Sequence, residues 1–114
     1  MKPHKIAISK AGTYTVLTPM ESLTFQNCEG IETLFRDLMG KGQANFILDC
    51  KAVPLMDSKS LEVLLQLHDV LRSRNSLLKL CGINETCRDI LIATRLINVF
   101  SVHKEIHDAA KRIE

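Results

Sequence analysis

Phe46-Ile47-Leu48-Asp49-Cys50-Lys51-Ala52-Val53-Pro54-Leu55-Met56-Asp57-Ser58-Lys59-Ser60-Leu61-Glu62-Val63-Leu64-Leu65 is the stretch that decides the fold. Its first five residues form a short apolar run after Gly42-Gln43-Ala44-Asn45, which predicts a strand covered on both faces. Pro54-Leu55-Met56 leads into the polar Asp57-Ser58-Lys59-Ser60. From there Leu61, Leu64, Leu65, His68 and Leu71 recur at helical steps, predicting an amphipathic helix. It ends in Arg72-Ser73-Arg74, whose charge complements the negative end of a helix dipole.

The pattern extends in both directions. Lys5-Ile6-Ala7-Ile8-Ser9 alternates polar and apolar, Lys10-Ala11-Gly12 supplies a turn, and Thr13–Thr18 is rich in β-branched residues, so the two read as a hairpin ended by Pro19. Phe25, Cys28, Ile31, Leu34, Phe35 and Leu38 give the first helix one apolar face, with Ser22 or Thr24 as its cap and Gly40 and Gly42 beyond its end. Downstream, Leu77–Cys81 reads as a strand closed by Gly82. Asn84 caps a helix through Cys87, Ile90, Leu91 and Thr94. Asn98-Val99-Phe100 reads as a short last strand. Val102, Ile106, Ala109, Ala110 and Ile113 mark a final helix. Strands alternating with helices after an initial hairpin imply an α/β fold, a mixed sheet with helices packed against it.

The chain's 114 residues suit one domain, and 46% hydrophobic with 25% charged residues is a globular balance. There is no Trp and one Tyr, so the core is aliphatic. A net charge of +2 is too small to mark a nucleic-acid binder. Nothing in Met1-Lys2-Pro3-His4-Lys5 and its sequel reads as a signal peptide, and no apolar run approaches the roughly 20 residues of a membrane helix. The expectation is a cytoplasmic protein with no membrane insertion. Cys28, Cys50, Cys81 and Cys87 form no CxxC and no metal-ligand spacing, and read as reduced thiols within the core.

The turn at Asp57 and Ser58 is where chemistry concentrates. A helix start leaves four backbone N–H groups unpaired and carries the positive end of the dipole. Asp57 and Ser58 both suit the N-cap, and a plain cap is one reading of the pair. The other is an anion site. A phosphate on Ser58 would lie where N–H groups and the dipole favour negative charge, with Lys59 beside it.

From Asn45 onward the chain resembles STAS domains, the sulphate-transporter and anti-sigma-factor-antagonist family. The resemblance rests on Phe46–Leu65, on Leu77-Leu78-Lys79-Leu80-Cys81-Gly82, and on Asn84–Leu96 followed by Ile97-Asn98-Val99-Phe100. It implies a STAS-like single domain over residues 1–114, with an initial hairpin and then parallel strands. It further implies a non-enzymatic switch resembling bacterial anti-sigma-factor antagonists. In those proteins a serine kinase, itself the anti-sigma factor, phosphorylates the serine after the aspartate, and a PP2C-type phosphatase reverses this. Carried over, the phosphoacceptor is Ser58, and Met56, Asp57, Ser58, Lys59 and Ser60 form the partner-binding turn. Lys59 and Ser60 stand where the family pattern has a small residue and a glycine. Pro19-Met20-Glu21-Ser22 stands in place of the family's segment before the first helix.

Two other readings accompany this one. The chain could be a scaffold, assembling with other STAS proteins or a transporter complex without phosphorylation control; Lys59 and Ser60 motivate it. It could also be a small-ligand or nucleotide-binding domain, for which the anion-friendly helix start speaks. No cofactor or metal is expected. His103 and His107 are four apart on the expected last helix, but no third ligand accompanies them and Lys104, Glu105 and Asp108 make that face solvated. His68 reads as a partly buried packing residue, and His4 lies in a frayed terminus. Arg72, Arg74 and Lys79 would be solvated charge, without aromatics to stack bases. No phosphate loop, serine elbow or zinc motif supports catalysis.

Overall fold

The computed structural model describes residues 5–111. The elements run β1 (Ile6–Ala11), β2 (Tyr14–Pro19), α1 (Cys28–Gly40), β3 (Phe46–Asp49), α2 (Ser58–Ser73), β4 (Leu78–Cys81), α3 (Glu85–Ala93), β5 (Ser101–His103) and α4 (Ile106–Ala110). One sheet holds the strands in the order β1-β2-β3-β4-β5. β1 and β2 pair antiparallel, and the remaining neighbours pair parallel. This is the expected mixed sheet with its initial hairpin. The turn between β1 and β2 is tight enough to put Gly12 at φ +61°, a conformation open to glycine without strain.

The period of two along the strands divides the sheet into unlike faces. Leu17, Phe46, Leu48, Leu78 and Leu80 join the main core with Ile31 and Phe35 of α1, Leu61, Leu64, Leu67 and Leu71 of α2, and Cys87 and Leu91 of α3. Phe35 and Phe46 meet with ring centroids 5.1 Å apart. The opposite face carries Tyr14, Val16, Ile47 and Cys81, packed with Ala109 of the short α4. β3 and β4 are therefore buried along their whole length, β3 as its apolar run predicts and β4 with a charged residue, Lys79, among its buried positions.

Several sequence expectations are corrected. The last strand is Ser101–His103, not Asn98–Phe100. α3 ends with Arg95 at φ +64° and Leu96 N–H donating to Leu91 O at 2.8 Å. Residues 97–100 are then taken up in a turn closed by Val99 N–H to Leu96 O at 3.0 Å. Val102 consequently lies in the strand, and α4 has five residues; Ile113 and His4 lie outside the described residues. His103 sits on β5 while His107 sits on α4, so they share no helix face. His103 Nε2 instead meets Ser101 Oγ at 2.8 Å. Lys79 is not surface charge. It is only 1% exposed on the α4 face, with Nζ donating to Ala109 O at 2.8 Å and lying 4.8 Å from the Tyr14 ring centroid.

His68 is the packing residue the helix pattern indicates. It is half-buried on α2, 5.3 Å from Phe100 in an edge-on arrangement. Nδ1 is buried and has no hydrogen-bond partner among the described residues. Burial pushes its pKa down, Arg72 adds to the effect and Asp69 opposes it. His103 is shifted the same way, by burial and then Lys79. A histidine whose folded pKa lies below its unfolded value of 6.5 contributes stability that is complete above that pH. The contribution is lost as pH falls through the folded pKa. The urea midpoint should therefore drop between pH 7 and pH 5, and His68→Gln should flatten that dependence in part, with His103 contributing in the same direction.

Candidate functional site

The turn before α2 is held by one carboxylate. Asp57 is the N-cap, with extended backbone, and Oδ1 accepts from Ser60 N–H at 2.9 Å. Oδ2 accepts from Phe25 N–H, 32 residues earlier, at 2.8 Å. Burial raises the Asp57 pKa, but the N–H groups of Ser60 and Phe25 outweigh it and hold the carboxyl below its ordinary value. The plain capping reading of Asp57 is thus correct as far as it goes, and the second bond adds a long-range tie.

The five expected turn residues divide by burial. Ser58 is the first residue of α2 and is exposed, as is Lys59. Met56 and Ser60 are 3% and 2% exposed. Met56 forms a parallel bridge with Leu23, in which Leu23 N–H donates to Leu55 O and Asp57 N–H to Leu23 O, both at 3.0 Å. Ser60 Oγ donates to Asp57 O at 2.9 Å. The side chains of Met56 and Ser60 therefore shape the turn from within, whereas Ser58 and Lys59 face outward. Lys59 Nζ pairs with Glu62 at 2.8 Å, and the hydrogen bond from the ammonium to that carboxylate raises the Lys59 pKa. The i,i+3 pair offsets the unfavourable position of a cation at the positive helix end.

The stretch before α1 turns out to be part of the same surface. α1 begins at Cys28, not near Phe25, and Asn27 at its cap position makes no capping bond. The Asn27 side chain turns back: Oδ1 accepts from Thr24 N–H at 2.9 Å and Nδ2 donates to Ser22 O at 2.7 Å. That closes Ser22–Asn27 into a compact turn beside Asp57. Phe25 stands out from it, 69% exposed. An open groove of about 200 Å³ runs between α1 and α2, lined by Phe25, Glu29, Glu32, Lys59, Val63 and Gln66 among others. Periodicity had set Phe25 on the apolar face of a helix, and only the Asn27 turn, three residues after Thr24, signals otherwise.

Cys28 also borders this groove, and burial, then the Asp57 charge, raise its thiol pKa. All four cysteines are buried free thiols. Among the described residues no three His, Cys, Asp or Glu side chains converge as a metal site, and no helix is long and apolar enough to cross a membrane.

Residues 5–109 match the family model described as the STAS domain. Among solved structures, a Thermotoga maritima protein described provisionally as an anti-sigma factor antagonist superposes with a TM-score of 0.86 at 22% identity, over 93% of this chain and 92% of that one. The Bacillus cell fate determinant SpoIIAA in its phosphorylated form gives 0.70 at 15% identity, over 91% and 95%. A sulfate transporter family protein from Wolinella succinogenes gives 0.76 at 18% identity, over 89% and 86%. No curated protein sequence matches the chain.

Proposed function

This chain belongs to the STAS domain family, and we propose that within it the chain is a non-enzymatic protein–protein switch of the anti-sigma-factor-antagonist kind. It works in the cytoplasm, binds a serine-kinase anti-sigma factor through the exposed part of the Asp57–Lys59 turn, and is released when Ser58 is phosphorylated. The observation that carries this reading is the contrast between two serines. Ser58 offers an exposed hydroxyl at the first position of α2, whereas Ser60, two residues on, is buried with its hydroxyl hydrogen-bonded. In the kinase, Ser58 Oγ attacks the γ-phosphorus of ATP. An O–P bond forms, the bond to ADP breaks, and the hydroxyl proton leaves to the kinase or solvent. Hydrolysis by a PP2C-type phosphatase returns the hydroxyl and releases inorganic phosphate.

The test is intact mass after incubation with the serine-kinase anti-sigma factors of the same genome and ATP. We expect one added phosphoryl group in the wild type and in Ser60→Ala, and none in Ser58→Ala. An unshifted wild type, or a shift that survives in Ser58→Ala, would sink the reading.

A second reading, a scaffold that assembles with other STAS chains or a transporter complex, is favoured by Lys59. The cation paired with Glu62 places an exposed ion pair beside Ser58, suited to a contact with a charged partner surface. On that reading the charge state of Ser58 is immaterial to assembly.

A further inference from the structure

The exposed Phe25 and the exposed Ser58 lie on segments far apart in sequence, joined at the turn by the Asp57 carboxylate. The Ser22–Asn27 turn has two ties to the strand–helix connection. One is the Leu23–Met56 bridge, made by backbone groups and centred on a Leu23 side chain that is fully buried. The other, further along, is the Phe25 N–H bond to Asp57 Oδ2. The first is indifferent to charge. The second depends on a carboxylate that is held in place from its other side by Ser60 N–H.

We infer that Asp57 is a positioning residue that latches the Phe25 segment to the start of α2, and that a phosphate on Ser58 opens the latch. The inference rests on the reading of Ser58 as a phosphoacceptor. A phosphoserine at the first helical position brings a charge of about −1.5 to −2 next to a carboxylate. The two repel each other, and the phosphate oxygens compete for the N–H groups of the first turn, the Ser60 N–H that fixes Asp57 Oδ1 among them. Lys59, now paired with Glu62, is within one residue of the new dianion and can turn to it. A carboxylate that loses Ser60 is no longer aimed at Phe25. The Phe25 amide passes to water and the side chain loses its fixed place at the mouth of the groove, while Leu23 stays docked. Phosphorylation would then alter the partner surface twice, by charge at Ser58 and by position at Phe25.

The experiment uses the full chain with phosphoserine incorporated at position 58 during synthesis, and reads amide hydrogen exchange residue by residue. In the wild-type background the Phe25 amide should exchange about tenfold faster with phosphoserine than with serine, in keeping with loss of a hydrogen bond to a charged acceptor. The Leu23 amide should not change, which also reports that the fold is intact. In Asp57→Ala the Phe25 amide should already exchange fast, and phosphoserine should add less than a twofold change. If that variant fails to fold, Asp57→Asn serves instead: it is uncharged, and its response to phosphoserine should likewise fall below twofold. Equal Phe25 exchange with serine and phosphoserine overturns the latch, and so does a full response surviving in the Asp57 variants. Because the modification is installed directly, a kinase that leaves Ser58 untouched defeats the functional reading alone. A Phe25 amide that ignores a phosphate the kinase does install defeats the latch alone.

Discussion

Lys79→Ala should lower the unfolding free energy by about 3 kcal/mol, enough to bring the melting temperature down by roughly 10 °C or more. The ammonium reaches from β4 to Ala109 O at 2.8 Å and lies over the Tyr14 ring. The last carbonyls of a helix have no partner within it, and a five-residue helix such as α4 has little stability of its own. Alanine would strip Ala109 O of that donor and leave a void where the side chain passed under α4. Part of that loss is offset, because burying an ammonium is itself unfavourable. Lys79→Met separates the contributions: it keeps most of the stem and sheds the charge, and should cost about 1 kcal/mol or less. Urea titration of the three proteins should rank the wild type and Lys79→Met together and Lys79→Ala well below. An alanine variant as stable as the wild type would show that α4 is held by its apolar contacts alone.

If the chain is the proposed switch, Ser58→Glu should weaken binding to its serine-kinase anti-sigma factor on the order of 100-fold, with the folded structure unchanged. Ser58 is exposed, so the carboxylate has room, and a negative charge at the positive end of α2 favours the helix. Stability should therefore hold or rise slightly. The loss would come from the partner side, where a new charge at the centre of a fitted surface meets groups arranged for a hydroxyl; juxtaposition with like charge costs several kcal/mol. Titration calorimetry with the purified kinase separates the two functional readings. Undiminished affinity of Ser58→Glu would favour the scaffold over the switch.

The sequence made much of this architecture legible for a physical reason. Where one face of an element is buried and the other is not, the period shows. β3 declared itself as a short apolar run because helices cover the sheet on both sides, and β4 showed the same pattern around Lys79. α2 declared itself through Leu61, Leu64 and Leu71, with the Asp57 cap in front. The failures share a cause as well. Phe25 falls in register with Cys28 and Ile31, so spacing alone extends the helix to it. What stops the helix is the Asn27 side chain folding back on Thr24 and Ser22, a choice among local hydrogen bonds that periodicity does not encode. Lys79 alternates correctly as a strand residue, but its charge suggested solvent, and only the docking of α4 reveals a buried carbonyl for it. β5 slipped three residues because Arg95 in a left-handed conformation delays the chain, at a position without glycine. Within the candidate site, Ser58 and Asp57 could be read from the turn. The partition of Met56 and Ser60 inward and of Phe25 outward could not, since it depends on which segment lies alongside.

The four buried cysteines have a use beyond packing. Cys28 starts α1 beside the groove, Cys50 follows β3, Cys81 ends β4 and Cys87 lies in α3. Burial raises the pKa of each, Cys81 to about 12, so the native chain presents almost no thiolate to an oxidant or an alkylating reagent. Each sulfur becomes reactive only when its own neighbourhood opens. Four built-in stopwatches are thus distributed over the molecule, and their modification rates would record the sequence in which its parts come loose, without a single label having to be introduced.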